Sequence, residues 1–180
     1  MRRRHLLAGL ASVGALGGAG AVATGGVADA LGGGSGGSIR PVTLDTIDAR
    51  GSRDGEVTLP APDRPTFIDF FSTNCDPCVD QMPDLANAHE RLGDEVLFVS
   101  VTPQNVGGSV SAEKVVEWWR ENDGDWLVAA DVTAELAAQL NVGAYPSARA
   151  IDASGRVRWA TSGTHTTEEF VDGIETALDR

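Results

Sequence analysis

Thr66-Phe-Ile-Asp-Phe-Phe71 is an apolar run broken once by an aspartate, and a helical pattern begins shortly after it. A strand that alternates apolar and polar residues has one wet face. A run like this one is buried on both faces, which requires a sheet with helices packed on each side. The following segment carries Val79, Met82, Leu85, Ala86 and Leu92 at helical spacing and closes at Gly93. Val96–Val101 predicts a second buried strand. Ser111 caps a helix running to about Asn122, with Val115, Val116 and Trp119 on its inner face. Trp126–Ala130 is a short apolar segment and Ala134–Leu140 a short helix. Ser147–Ile151 and Arg156–Ser162 form a hairpin around Asp152-Ala-Ser-Gly155. The last helix opens on a capping box, Thr166 with Glu169, and buries Phe170, Ile174 and Leu178. Upstream, Val42, Leu44 and Ile47, then Val57 and Leu59, predict two short strands joined by the turn-rich Ala49–Gly55. Strands alternating with helices, closed by a hairpin and a helix, predict an α/β sandwich with a mixed central sheet.

This pattern occupies residues 39–180 of the 180 and leaves one folded domain. The residues before it read as an address. Arg2, Arg3 and Arg4 precede a stretch of 23 positions, Leu6 to Ala28, without a formal charge. Seven of these are glycine, so the stretch is weakly apolar and a poor helix. It resembles a twin-arginine export signal over residues 1–30, with Ala28-Asp29-Ala30 as the cleavage site. Retention as an N-terminal membrane tether is the alternative. Residues 31–38, rich in Gly and Ser, have the composition of a flexible linker. An exported, extracytoplasmic location is therefore expected.

The 26 acidic and 14 basic side chains give a net charge of -12. Nucleic-acid binding needs clustered cations and is not expected. Lys114 is the only lysine. Many carboxylates and almost no lysine suggest adaptation to concentrated salt, with a solvated acidic surface as the simpler reading.

The chemistry lies in Cys75-Asp76-Pro77-Cys78, placed where the buried strand gives way to the helix. A cysteine at a helix N-terminus faces unpaired N–H groups and the positive end of the helix dipole, which favour a thiolate. Two intervening residues let the sulfurs meet, and Pro77 stiffens the turn without orphaning an N–H. Redox cycling, a structural disulfide and half of a zinc site all fit the tetrapeptide. The disulfide would constrain little chain. Zinc would need two more ligands, and His89 and His165 stand alone.

The stretch Phe70-Phe-Ser-Thr-Asn-Cys-Asp-Pro-Cys-Val-Asp-Gln-Met-Pro-Asp-Leu85 resembles the active-site segment of the thioredoxin-like TlpA/ResA thiol-disulfide oxidoreductases. Pro83 falls where that family kinks the helix, and Asp69 where thioredoxins keep a buried carboxylate. Tyr145-Pro146-Ser147 looks like the cis-proline loop beside the active site. Glu113–Ala130 looks like the TlpA-type insertion. One departure is Asn74, where the family usually has tryptophan. The resemblance implies a thioredoxin-like three-layer α/β/α sandwich with an added N-terminal strand pair. It implies Cys75 as nucleophile, Cys78 as resolving thiol and Asp69 as the buried group exchanging a proton with Cys78. An Asp on an exposed strand edge is the plainer reading of Asp69. Pro146 and Tyr145 would receive a partner's extended segment, with Asp76 and Pro77 on the rim of the same surface. Asp76 also places a negative charge beside Cys75, which opposes the helix dipole and favours a reducing pair.

The expected function is an exported thiol-disulfide oxidoreductase that reduces cysteines of extracytoplasmic proteins. Cytochrome c maturation is the commonest assignment in that family. A membrane thiol-disulfide donor would recycle the pair. No cofactor or metal is expected, and the chain should be monomeric. The alternatives are an oxidant or isomerase of secreted disulfides, and a non-catalytic or metal-handling module. Asp76, Asp80 and Asp84 form an acidic stripe best read as a solvated face. Trp118, Trp119, Trp126 and Trp159 read as packing residues, and His89 as a partly buried structural one.

Overall fold

The structure, a computed structural model, describes residues 38–178. The expected export signal at 1–30 and nearly all of the expected 31–38 linker lie outside the described residues. Seven strands and four helices follow one another as β1 (Val42–Thr46), β2 (Gly55–Leu59), β3 (Thr66–Phe70), α1 (Asp76–Leu92), β4 (Leu97–Thr102), α2 (Ala112–Glu121), β5 (Leu127–Ala130), α3 (Glu135–Gln139), β6 (Ser147–Ile151), β7 (Val157–Ser162) and α4 (Thr167–Leu178).

The strands form one mixed sheet in the order β2-β1-β5-β4-β3-β6-β7. At its centre β3, β4 and β5 run parallel. The β1–β2 pair and the β6–β7 hairpin flank this centre with antiparallel ladders. Phe67 and Phe71 face one side, where Met82 and Leu85 of α1, Trp118 and Trp119 of α2, and Phe170 and Ile174 of α4 pack on the sheet. Ile68, Phe70, Val99 and Val101 face the other side beneath Leu136 and Leu140, in and just after α3. This two-sided burial is why β3 reads as a continuous apolar run.

Local chemistry sets the element ends. Ser111 Oγ accepts from the Lys114 N–H at the start of α2. The Thr166–Glu169 capping box closes in both directions at the start of α4. Gly51, in the turn between β1 and β2, has φ +75°, and a Cβ there would meet the Asp125 carbonyl carbon at 2.1 Å. The segment that resembles the TlpA-type insertion supplies α2 and β5, and β5 joins the N-terminal strand pair to the parallel core.

Three sequence expectations change. Val79 is 38% exposed, because it lies on α1 beyond the buried face of Cys78, Met82 and Leu85. The acidic stripe does not stay solvated at its end. Asp84 Oδ1 accepts from the N–H of Thr167 at 2.8 Å and from its hydroxyl at 2.6 Å, tying α1 to the first turn of α4. The short helix expected over Ala134–Leu140 is confined to Glu135–Gln139, because Ala134 takes a left-handed φ of 55° and stands outside it.

Candidate active site

Cys75 and Cys78 are joined as a disulfide, with Cα atoms 5.3 Å apart. Cys75 is the N-cap of α1, with φ -116° and ψ 100°, and Asp76 and Pro77 form the first turn. Its sulfur accepts from the Cys78 N–H at 3.2 Å, so a helix-terminal donor already points at the atom that would carry negative charge. Cys75 is half-buried, whereas Cys78 is 2% exposed and packs with Met82 and Leu85. The two sulfurs therefore differ in access, the first reachable by a partner and the second not.

The preceding loop is held from behind. The Thr73 N–H donates to Gln104 Oε1 at 2.9 Å, and the Thr102 hydroxyl donates to the same oxygen at 3.2 Å. The Cys75 N–H donates to the Ser72 carbonyl. Phe71 stacks on Trp118 at 4.7 Å between ring centroids. Across the rim, Lys114 Nζ donates to Asn74 Oδ1 at 3.1 Å.

Asp69 lies on the face of the sheet that α1 covers. It sits on central strand β3 with 1% exposure, which removes the exposed-edge reading. Odd-numbered residues of β3 face α1, so the carboxyl points toward the helix that carries Cys78. The Ser100 hydroxyl donates to its Oδ2 at 3.0 Å and Gln81 Nε2 to its Oδ1 at 3.3 Å. Trp126 Nε1–H donates in turn to Ser100 Oγ at 2.9 Å. Burial raises the pKa of Asp69 from 3.8 to about 7, even though both hydrogen bonds pull the other way. A carboxyl that titrates near neutrality can accept a proton and return it.

The Tyr145–Pro146 peptide is cis. Ser147, at the start of β6, pairs with Phe70 at the end of β3, so this loop lies at the same end of the sheet as the cysteine loop. Pro146 is buried and its carbonyl accepts from the Gly163 N–H at 2.9 Å, while Tyr145 is 39% exposed. Burial and the nearby Asp131 carboxylate raise the Tyr145 pKa. Arg149, buried without an ion-pair partner among the described residues, donates to the carbonyls of Leu140, Asn141, Ala148 and Thr161. It thereby holds the start of the 140–146 loop. Asp76 and Pro77 are exposed at the rim. His89 packs edge-on against Phe98 at 5.1 Å, away from the sulfurs.

Gln81, Ser100, Gln104, Lys114 and Arg149 escape the sequence reading. Gln81 leaves a trace, since a polar residue stands on the helix face shared by Cys78, Met82 and Leu85. Ser100 becomes visible only once the β3–β4 register pairs it with Asp69. Lys114 and Gln104 contact the site across 40 and 31 residues of chain, where no local pattern reaches. Among the described residues, no group of three or more His, Cys, Asp or Glu could hold a metal. No helix among them is long and apolar enough to cross a membrane.

Comparison with known proteins agrees with this architecture. The chain is 29% identical over 112 residues to the thiol-disulfide oxidoreductase ResA of Geobacillus kaustophilus, covering 61% of this chain and 60% of that protein's length. StoA from Bacillus subtilis superposes with a TM-score of 0.62 at 18% identity, over 74% of this chain and 95% of that one. The exposed lipoprotein thioredoxin Etrx1 of Streptococcus pneumoniae gives a TM-score of 0.64 at 18% identity, over 76% and 98%. These structures share the thioredoxin-like fold. Residues 42–178 match the Redoxin family model, and the chain belongs to the Redoxin family.

Proposed function

We propose that this protein is an exported thiol-disulfide oxidoreductase that reduces disulfides of extracytoplasmic proteins. The observation that carries the reading is the asymmetric pair: an accessible Cys75 at a helix N-cap, bonded to a buried Cys78, with a buried carboxyl that titrates near neutrality on the sheet face that α1 covers. A structural disulfide needs neither the asymmetry nor the carboxyl.

In the reduced protein the Cys75 thiolate attacks one sulfur of a partner's disulfide. The partner's S–S bond breaks, its second sulfur leaves as a thiolate, and a mixed disulfide joins Cys75 to the partner. Cys78 then gives its proton to Asp69 and attacks the Cys75 sulfur. The Cys75–Cys78 bond forms and the partner's first sulfur is released as a thiolate. Two electrons pass from the pair to the partner; Asp69 returns the Cys78 proton to one departing partner thiolate, and the other takes its proton from solvent. Ser100 and Gln81 hold the Asp69 carboxyl in place, and lone pairs remain on its oxygens for the Cys78 proton.

Val79 and Tyr145 give the rim apolar area that a peptide could cover. Among the described residues the N–H and C=O of Tyr145 have no backbone partner, so a partner's extended segment would pair there, in front of Pro146. Asp76 and Pro77 would border that segment. A membrane thiol-disulfide donor would return electrons to the pair, and thiols awaiting haem attachment are one substrate class that such a reductant would serve. The chain would act as a monomer outside the cytoplasm, delivered by its twin-arginine-like segment.

The test is a redox titration of the full chain against glutathione or dithiothreitol mixtures. A potential at or below about -270 mV supports a reductant, whereas one near about -120 mV makes the protein an oxidant of secreted disulfides. A Cys78→Ser variant should accumulate the mixed disulfide through Cys75. A pair that does not titrate reversibly would sink the catalytic reading.

A further inference from the structure

Lys114 is the only lysine of a chain with net charge -12. It lies in the first turn of α2, and its ammonium reaches the side chain of the residue immediately before Cys75. None of the ion pairs among the described residues involves it. Among the described residues, the one hydrogen bond its ammonium makes is to a neutral amide beside the redox pair. An ammonium carries three donors and Asn74 Oδ1 takes one.

Two features of the fold bring it there. Strands β3 and β4 are parallel, so the chain leaves both at the same end of the sheet and enters α1 and α2 nearby. The Ser111 cap then fixes the first turn of α2, so the Lys114 side chain springs from a rigid base. Acidic groups stand on the elements that meet at this end of the sheet. Asp76 and Asp80 lie on α1, Glu113 beside Lys114 on α2, Asp69 behind on β3, and Tyr145 on the loop before β6. In reduced protein, each anion among them disfavours a Cys75 thiolate, and Lys114 is the cation that opposes them.

We propose that the Lys114–Asn74 contact is a charge clamp on the nucleophile: Asn74 holds the Lys114 ammonium at the rim, where it favours the Cys75 thiolate and offsets Asp76. Lys114 is a positioning residue that acts through the field at Cys75. Stabilising the thiolate favours the reduced pair, so Lys114 also raises the potential that Asp76 lowers. The inference rests on Cys75 being the nucleophile.

The test alkylates the reduced full chain with iodoacetamide at neutral pH and low salt, with peptide mapping to assign the modified cysteine. Lys114→Gln should slow modification of Cys75 about threefold, the scale of an exposed charge interaction. Lys114→Arg should restore the wild-type rate, and Asn74→Ala should fall between. At about 1 M salt, where the screening length is near 3 Å, the difference should vanish. An unchanged rate for Lys114→Gln at low salt overturns the clamp. A slower rate that persists at high salt also overturns it, because that marks a structural change. Modification falling on Cys78 instead overturns the nucleophile assignment beneath the proposal, and the proposal with it.

Discussion

Asp69 ties the stability of the fold to its own protonation. Its carboxyl is uncharged in the folded protein up to about pH 7, but would ionise near 3.8 in the unfolded chain. The folded state therefore holds the extra proton between these values. This group costs stability progressively as pH rises from about 4 to 7, and the cost is complete above that. Asp69→Asn keeps the shape and removes the charge. Relative to wild type it should gain of order 4 kcal/mol between pH 4 and pH 8, read by urea denaturation at the two pH values. The same variant should slow disulfide exchange by the reduced protein about a hundredfold at pH 8, measured by stopped flow. A stability difference that does not change with pH would show that the carboxyl is not desolvated. The sequence placed Asp69 in an apolar run, but Ser100, Gln81 and the indole of Trp126 join it only through strand register and helix packing.

Among the elements, α1 does two jobs at different points along its length. Its N-terminus carries the cysteines, and further along Asp84 receives the first turn of α4 through the Thr167 N–H and hydroxyl. Asp84→Ala should cost about 1–2 kcal/mol, the loss of a cap-like interaction, and should leave the potential of Cys75–Cys78 unchanged. Thermal unfolding and redox titration of one preparation check both halves. A normal stability would mean that Asp84 is only part of a solvated face. The four-residue recurrence of Asp76, Asp80 and Asp84 could not separate these roles. A helical period says which residues share a face but not what that face meets. The caps at Ser111 and at Thr166–Glu169 were legible because the donor, the acceptor and the spacing all sit within one turn.

For the whole molecule, charge sets the environment in which it is most stable. With 26 acidic and 14 basic side chains, the compact state repels itself, and salt screens that repulsion. Raising sodium chloride from about 0.05 M to about 2 M should raise the unfolding midpoint of the full chain by roughly 5 °C or more. A flat or falling midpoint would argue against adaptation to concentrated salt. The sequence by itself determined the order of elements, the two-sided burial of β3 and the place of the Cys75–Cys78 pair at a helix start. Each of these follows from periodicity, capping or spacing within a few residues. Only the tertiary structure decided that β5 sits between β1 and β4, that Asp69 is buried between Ser100 and Gln81, and that Lys114 stands over Asn74. Those contacts join residues far apart in the chain, and only the packing of the two faces of one sheet brings them together.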